Sequence, residues 1–227
     1  MNKRFNSAAQ VLAAIAAMTL ASAASAQSAG TFTAKVGVNK ITPHVTSGDM
    51  TAPALPNTKA DVESDTKPIL TLAYMVTDNI SAELHLGVPY KHDLVGDGAI
   101  KGTGKLGTSE VLPPTFLMQY RFFEANTMIR PYVGAGLTYA YFQKERGSGA
   151  MTALLDPGGE PSSYRLKNKL AGSIQLGATL AFNERWFADV GVIKTYLKTT
   201  AKFSTGQTQN IKLDPTAVSV GIGYKFY

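Results

Sequence analysis

Three histidines, His44, His85 and His92, are the side chains in this sequence best suited to acid–base or metal chemistry. A serine hydrolase needs a nucleophilic Ser, a His and a carboxylate within hydrogen-bond reach, and His44 stands near Ser47 and Asp49. That trio lies in a polar connection without a hydrolase motif, and adjacency in sequence does not make a triad. The histidine spacings match no zinc site, and no D-x-[DN]-x-[DN]-G calcium loop is present. With no cysteine in the chain, thiolate metal sites and thiol nucleophiles are excluded. Gly96, Gly98, Gly102, Gly104 and Gly107 lack the strand-to-helix context of a phosphate loop and read as a flexible or hairpin-forming connection. The expectation is a protein that is not an enzyme and carries no cofactor or metal.

A second set of polar residues needs a different explanation. Glu83, Gln119, Arg121, Arg130 and Asp189 occur singly within otherwise apolar segments. Buried together they would form a structural network, with Glu83 paired to Arg121 and Arg130. His85 has two readings: a hydrogen-bonded filler, or a pH-sensitive gate, since an unperturbed imidazole titrates near pH 6.5.

The elements that would position these residues are strands. Period-two alternation marks eight of them, at Thr31–Ile41, Ile69–Val76, Ile80–Val88, Thr115–Phe122, Arg130–Phe142, Leu170–Phe182, Trp186–Tyr196 and Thr216–Phe226. Long polar connections (Thr42–Pro68, Pro89–Pro114, Gln143–Lys169, Leu197–Pro215) alternate with short ones at Thr77–Asn79, Phe123–Ile129 and Asn183–Arg185. This is the layout of an all-β, eight-stranded antiparallel up-and-down transmembrane barrel, with long loops outside the cell and both mature termini in the periplasm. Leu84, Leu86, Phe116, Met118, Val133, Leu137, Ile174 and Leu176 fall on the lipid face. Ser81, Glu83, His85, Gln119, Arg121, Arg130, Tyr132, Gln175 and Asp189 fall on the inner one. A charge turned from lumen to bilayer midplane would cost about 2–4 kcal/mol, which fixes the register. Tyr74, Tyr120, Phe122, Phe182, Trp186, Tyr224 and Phe226 near the turns, and Tyr139, Tyr141 and Phe142 near a long loop, would form the two interfacial girdles.

Both chain ends agree with export to an outer membrane. Lys3 and Arg4, the apolar run Ala8–Ala21 and Ala24-Ser25-Ala26 read as a cleaved signal peptide over residues 1–26, leaving residues 27–227 as the barrel domain. The last strand carries Ser219, Gly221, Tyr224 and Phe226 in the spacing polar–x–Gly–x–x–aromatic–x–aromatic, which resembles the signal read by the barrel-insertion machinery. Mean hydropathy is -0.02, as strands with one lipid face and one polar face would give. Removing Lys3 and Arg4 lowers the formal charge from +6 to +4, and the remaining charges are scattered among acids, which argues against nucleic acid as a partner.

These residues carry a family resemblance. Tyr74-Met75-Val76-Thr77-Asp78-Asn79-Ile80 with Glu83, Gly87-Val88-Pro89, Lys91-His92-Asp93, Leu112-Pro113-Pro114-Thr115, Gln119-Tyr120, Arg130-Pro131-Tyr132-Val133-Gly134-Ala135-Gly136, Gln175 with Gly177, Trp186 and Leu213-Asp214-Pro215 run in the order and spacing of the outer membrane protein W family. The chain resembles that family along its whole mature length. The resemblance implies a barrel that lets small hydrophobic solutes cross the outer membrane, with an apolar outer lumen, a constriction and a sideways opening in the wall. By the same matching, the two constriction residues fall at His85 and Ile193. Ile193 keeps the family's apolar character, whereas His85 replaces an aliphatic with an ionisable ring.

Eight strands enclose room for side chains or one small ligand, so a general aqueous pore is not expected. Pro89 cannot donate a ladder hydrogen bond, and Gly87-Val88-Pro89 is read as bordering the lateral opening or simply as a strand end. The expected partners are outer-membrane lipid, small hydrophobic solutes and the insertion machinery. The rival reading is a structural or surface-recognition barrel without transport.

Overall fold

The computed structural model describes residues 27–52 and 56–226, and the signal-peptide reading of residues 1–26 lies outside them. Fifteen strands occur among the described residues: β1 (Phe32–Thr42), β2 (Thr46–Ser47), β3 (Thr58–Val62), β4 (Asp65–Met75), β5 (Ile80–Gly87), β6 (Tyr90–Gly98), β7 (Lys105–Leu112), β8 (Thr115–Arg121), β9 (Ile129–Gly147), β10 (Tyr164–Leu166), β11 (Lys169–Ala181), β12 (Trp186–Tyr196), β13 (Lys198–Phe203), β14 (Thr208–Lys212) and β15 (Thr216–Phe226). A short helix, α1 (Gly149–Leu155), is capped by Ser148, whose hydroxyl accepts from the Met151 amide.

Eight of the strands close a ring in the antiparallel order β1-β4-β5-β8-β9-β11-β12-β15, with β15 returning to β1. They are the eight the alternation marks, each within a few residues of its expected bounds except at the upper ends of β4 and β9. The closing seam pairs Phe32 with Phe226 and Thr42 with Thr216, so no edge is left unpaired toward lipid. Val36, Val38, Leu84, Phe116, Leu137, Leu176, Val190 and Val220 are exposed on the outer face, while Lys35, Glu83, Gln119, Arg130 and Asp189 are buried on the inner one. Strand pleating alone produces this sorting, because neighbouring residues point to opposite faces.

The turns at one end are held by short side-chain bonds. The Thr77 hydroxyl accepts from Ile80 N at 2.9 Å, and Asn183 Oδ1 accepts from Arg185 N and Trp186 N at 2.9 Å each. Tyr224 sits edge-on to both Trp186 and Phe226 with ring centres 5.0 Å apart. The two tight glycine positions of the last strand have packing reasons. A Cβ on Gly221 would lie 2.6 Å from the Val36 carbonyl oxygen, and one on Gly223 would lie 2.2 Å from the Phe187 ring.

The opposite end departs from expectation. The long connections are not loops but extend the wall: β6 and β7 form a hairpin, β3 adds to β6, β7 pairs with the upper part of β9, and β10-β13-β14-β2 make a second small sheet. Their sequences are rich in Thr, Lys, Gly and Asp because the outer face above the apolar belt no longer meets lipid, and only the inner face is apolar, with Leu94, Leu106, Val111 and Ile211 buried in it, so the greasy outer alternation of a lipid-facing strand is missing. The Gly-rich stretch accordingly forms the hairpin tip, with Gly98, Gly102 and Gly104 at positive φ. Phe142 is also corrected: it is buried on the inner face rather than part of a girdle, while Tyr139 and Tyr141 remain exposed.

Candidate functional site: a polar layer beneath an apolar cavity

The lumen is divided in two. Toward the turns it is filled by hydrogen-bonded polar side chains, and toward the strand extensions it opens into an apolar cavity.

At the turn end Arg130 grips the backbone. Its guanidinium donates to the carbonyls of Gln27 (3.1 Å), Asp78 (2.6 Å), Phe122 (3.3 Å) and Phe123 (3.3 Å). The segment at Gln27 and two separate turns are thereby tied across the barrel mouth. Arg121 donates to Ser81 Oγ, Gln27 Oε1 and Gln119 Oε1, and its guanidinium carbon lies 5.0 Å from the Tyr132 ring centre.

Above them Glu83 is the hub. It accepts from Lys35 Nζ at 2.8 Å, from Gln119 Nε2 at 2.7 Å and from Gln175 Nε2 at 3.2 Å, and lies 2.6 Å from His85 Nε2. Lys35 also reaches Asp189 at 3.0 Å, whose Oδ1 accepts from Tyr132 at 3.2 Å. The expected pairing of Glu83 with Arg121 and Arg130 is therefore corrected. Lys35 supplies the counter-charge, because it rises from β1 at the level of Glu83 while the two arginines are occupied with turn carbonyls, Ser81 and glutamines. The signal for Lys35 was present in the sequence: it shares the alternation phase of Thr33 and Asn39, opposite Val36 and Val38. Glycines make room for this layer. A Cβ on Gly177 would fall 2.4 Å from the Tyr132 hydroxyl oxygen.

His85 and Ile193 both line the cavity, of about 100 Å³, room for a small solute on a scale where one water needs about 10–15 Å³. Both stand where it meets the polar layer: His85 through its contact with Glu83, Ile193 as the register partner of Gln175. A row of hydroxyls crosses four strands at this floor, Thr115 to Thr138 at 2.8 Å, Thr138 to Ser173 at 2.7 Å and Ser173 to Thr195 at 2.8 Å. The walls are apolar, from Ile41 and Ala140 on the ring to Leu94, Val111, Phe142, Leu197 and Leu213 on or beside the extensions. His92 stacks beside Tyr90 with centres 6.4 Å apart and engages the Glu63 carbonyl through Nδ1 at 2.7 Å. Burial holds its imidazole below the ordinary histidine pKa.

The wall itself has a lapse. The β5–β8 ladder ends at His85–Thr115, and the β6–β7 ladder begins at Tyr90–Val111. Between them Val88, Pro89, Pro113 and Pro114 belong to no strand. Leu86, Gly87 and Pro113 line the cavity at this level, and Val88 is exposed on the outer face. The candidate hydrolase trio is not assembled: His44 Nε2 meets Thr216 Oγ1, the Ser47 hydroxyl accepts from Ala60 N, and Asp49 accepts from Asn57 N. Ser219, Gly221, Tyr224 and Phe226 lie on β15 between β12 and β1, away from the cavity.

Comparison with known proteins agrees with the geometry. The model of the OmpW family matches residues 28–226. Outer membrane protein W of Vibrio cholerae serotype O1 is 33% identical over 223 residues, covering 95% of this chain and 97% of that protein. Outer membrane protein AlkL of Ectopseudomonas oleovorans is 27% identical over 176 residues, covering 76% of this chain and 71% of that protein. The crystal structure of the outer membrane protein OprG from Pseudomonas aeruginosa superimposes with a TM-score of 0.80 at 28% identity, covering 89% of this chain and 98% of that one.

Proposed function

Because this chain belongs to the OmpW family of outer-membrane barrels, we propose that it passes small hydrophobic molecules into the outer membrane, taking them in at the strand extensions and releasing them sideways. The observation that carries this reading is the apolar cavity resting on a closed ionic floor. A solute continuing toward the turns would have to strip or displace Lys35, Glu83 and Asp189, and breaking a buried ion pair costs about 3–5 kcal/mol. The lapse at Gly87, Val88 and Pro89 offers a route into lipid that breaks no buried pair.

In this reading the extensions face outside the cell and both mature termini face the periplasm. His85 and Ile193 form the constriction, and Ser219, Gly221, Tyr224 and Phe226 serve the insertion machinery. The test is uptake of octane and similar apolar solutes by cells with and without the protein. Faster uptake with the protein is expected. No difference across several apolar solutes would overturn transport in favour of a structural or surface-recognition role.

A further inference from the structure

We propose that the cavity floor selects apolar solutes that end in a hydroxyl group, which donates its hydrogen to Nδ1 of His85. This deepens the transport reading by naming a solute class, and it rests on that reading.

Two observations carry it. His85 is 5% exposed and lines the cavity, and its Nδ1 is buried without a hydrogen-bond partner among the described residues. The other ring nitrogen lies 2.6 Å from Glu83 Oε1. A carboxylate only accepts, so Nε2 carries a hydrogen, and where that is the ring's only hydrogen Nδ1 is left as a bare lone pair. A buried acceptor in that condition is unfavourable until something donates to it.

The hydroxyl row makes the floor more one-sided. Thr115 Oγ1 donates to the Pro113 carbonyl at 3.0 Å, so its contact with Thr138 must be one it accepts. Each hydroxyl has one hydrogen. Thr138 therefore spends its hydrogen on Thr115, Ser173 on Thr138, and Thr195 on Ser173. The row thus offers lone pairs, as His85 does. A hydrocarbon gives these acceptors nothing, and a ketone of the same length adds another acceptor. An alcohol brings the donor that is missing.

The test uses the refolded barrel in phosphatidylcholine nanodiscs at pH 8, with nitrogen-15 in its histidines. Octane, 2-octanone and 1-octanol are added at matched mole fraction in the lipid. The His85 Nδ1 resonance, assigned by its loss in His85→Phe, is expected to move with 1-octanol and to stay in place with the other two. Occupancy should favour 1-octanol over 2-octanone about tenfold, the factor carried by one good hydrogen bond, and His85→Phe should bring that ratio to about one. If the variant does not fold, the native protein's response to the equal-sized alcohol and ketone decides. An unmoved Nδ1 resonance or equal occupancy overturns the hydroxyl preference alone, provided octane still enters the cavity. Absence of all three solutes from the cavity overturns the preference and the transport reading together.

Discussion

Lys35 Nζ lies 2.8 Å from Glu83 Oε2 across the lumen, although their strands β1 and β5 are separated in the ring by β4. The contact passes over β4 rather than following a ladder, so it ties β1 to β5 directly. Glu83 is completely buried and Lys35 nearly so. Replacing Lys35 with Met leaves Glu83 and Asp189 without their shared cation, and breaking a buried pair in this way costs about 3–5 kcal/mol. Urea unfolding in micelles, followed by fluorescence of the single tryptophan, Trp186, should show that loss. The double variant Lys35→Met, Glu83→Gln should recover part of it.

The glycine at 223 is a packing requirement. With the Phe187 ring 2.2 Å from where its Cβ would stand, Gly223→Ala is expected to destabilise the seam by about 1–3 kcal/mol, the usual range for overpacking. Gly223→Ala combined with Phe187→Leu should be closer to native than Gly223→Ala alone. Heat-modifiability on gels reports the folded fraction of each.

Cross-linking tests the proposed side exit. The chain has no cysteine, so Val88→Cys with Pro114→Cys gives the only two thiols. Bridging them with a short bifunctional maleimide should abolish octane uptake while the uncross-linked double variant retains it. Retained uptake in the bridged barrel would remove Gly87-Val88-Pro89 from the exit route.

The strand extensions should loosen in mild acid. His92 is held neutral by burial, with its pKa lowered in the folded state. Between that lowered value and the ordinary one near 6.5, the opened segment binds a proton that the closed one does not. Stability of the β6 region is therefore full above about pH 6.5 and falls as pH drops toward the folded pKa. Amide exchange at Glu63, whose N–H donates to the Asp93 carbonyl at 3.0 Å, should quicken over that window relative to the β11–β12 ladder. His92→Gln should remove the difference. Asp65 has its pKa lowered as well, by hydrogen bonds from Lys91, Lys67 and Thr66 that outweigh its partial burial, and its contribution disappears only at lower pH, near the carboxylate range.

The part of this architecture legible in the sequence is the part that lipid constrains. Trp186–Tyr196 and Thr216–Phe226 read to the residue as β12 and β15, because a wall strand must be greasy on alternate positions. The role of Lys35 is harder to read because Gly37 interrupts the inner face of β1, and a pairing with Glu83, 48 positions away, leaves no local trace. The extensions are hard to read for a related reason. Ile211 pairs with Ser47 and Gly107 with Gly147, contacts between distant segments whose polar sequences look like loops until closure of the ring brings them together. The hydroxyl row of the cavity floor was equally silent: serine and threonine are common inward residues, and only register reveals that Thr115, Thr138, Ser173 and Thr195 share a level.

The chamber is assembled from two kinds of material, a base set into the membrane-embedded ring and an upper enclosure contributed by the β6–β7 hairpin and its neighbours. Those two parts answer to different constraints, since bilayer thickness dictates the first and nothing about the bilayer dictates the second. If the barrel passes solutes as proposed, diet can be retuned from above: exchanging the hairpin between related barrels should alter which molecules are admitted while leaving the ring as it was.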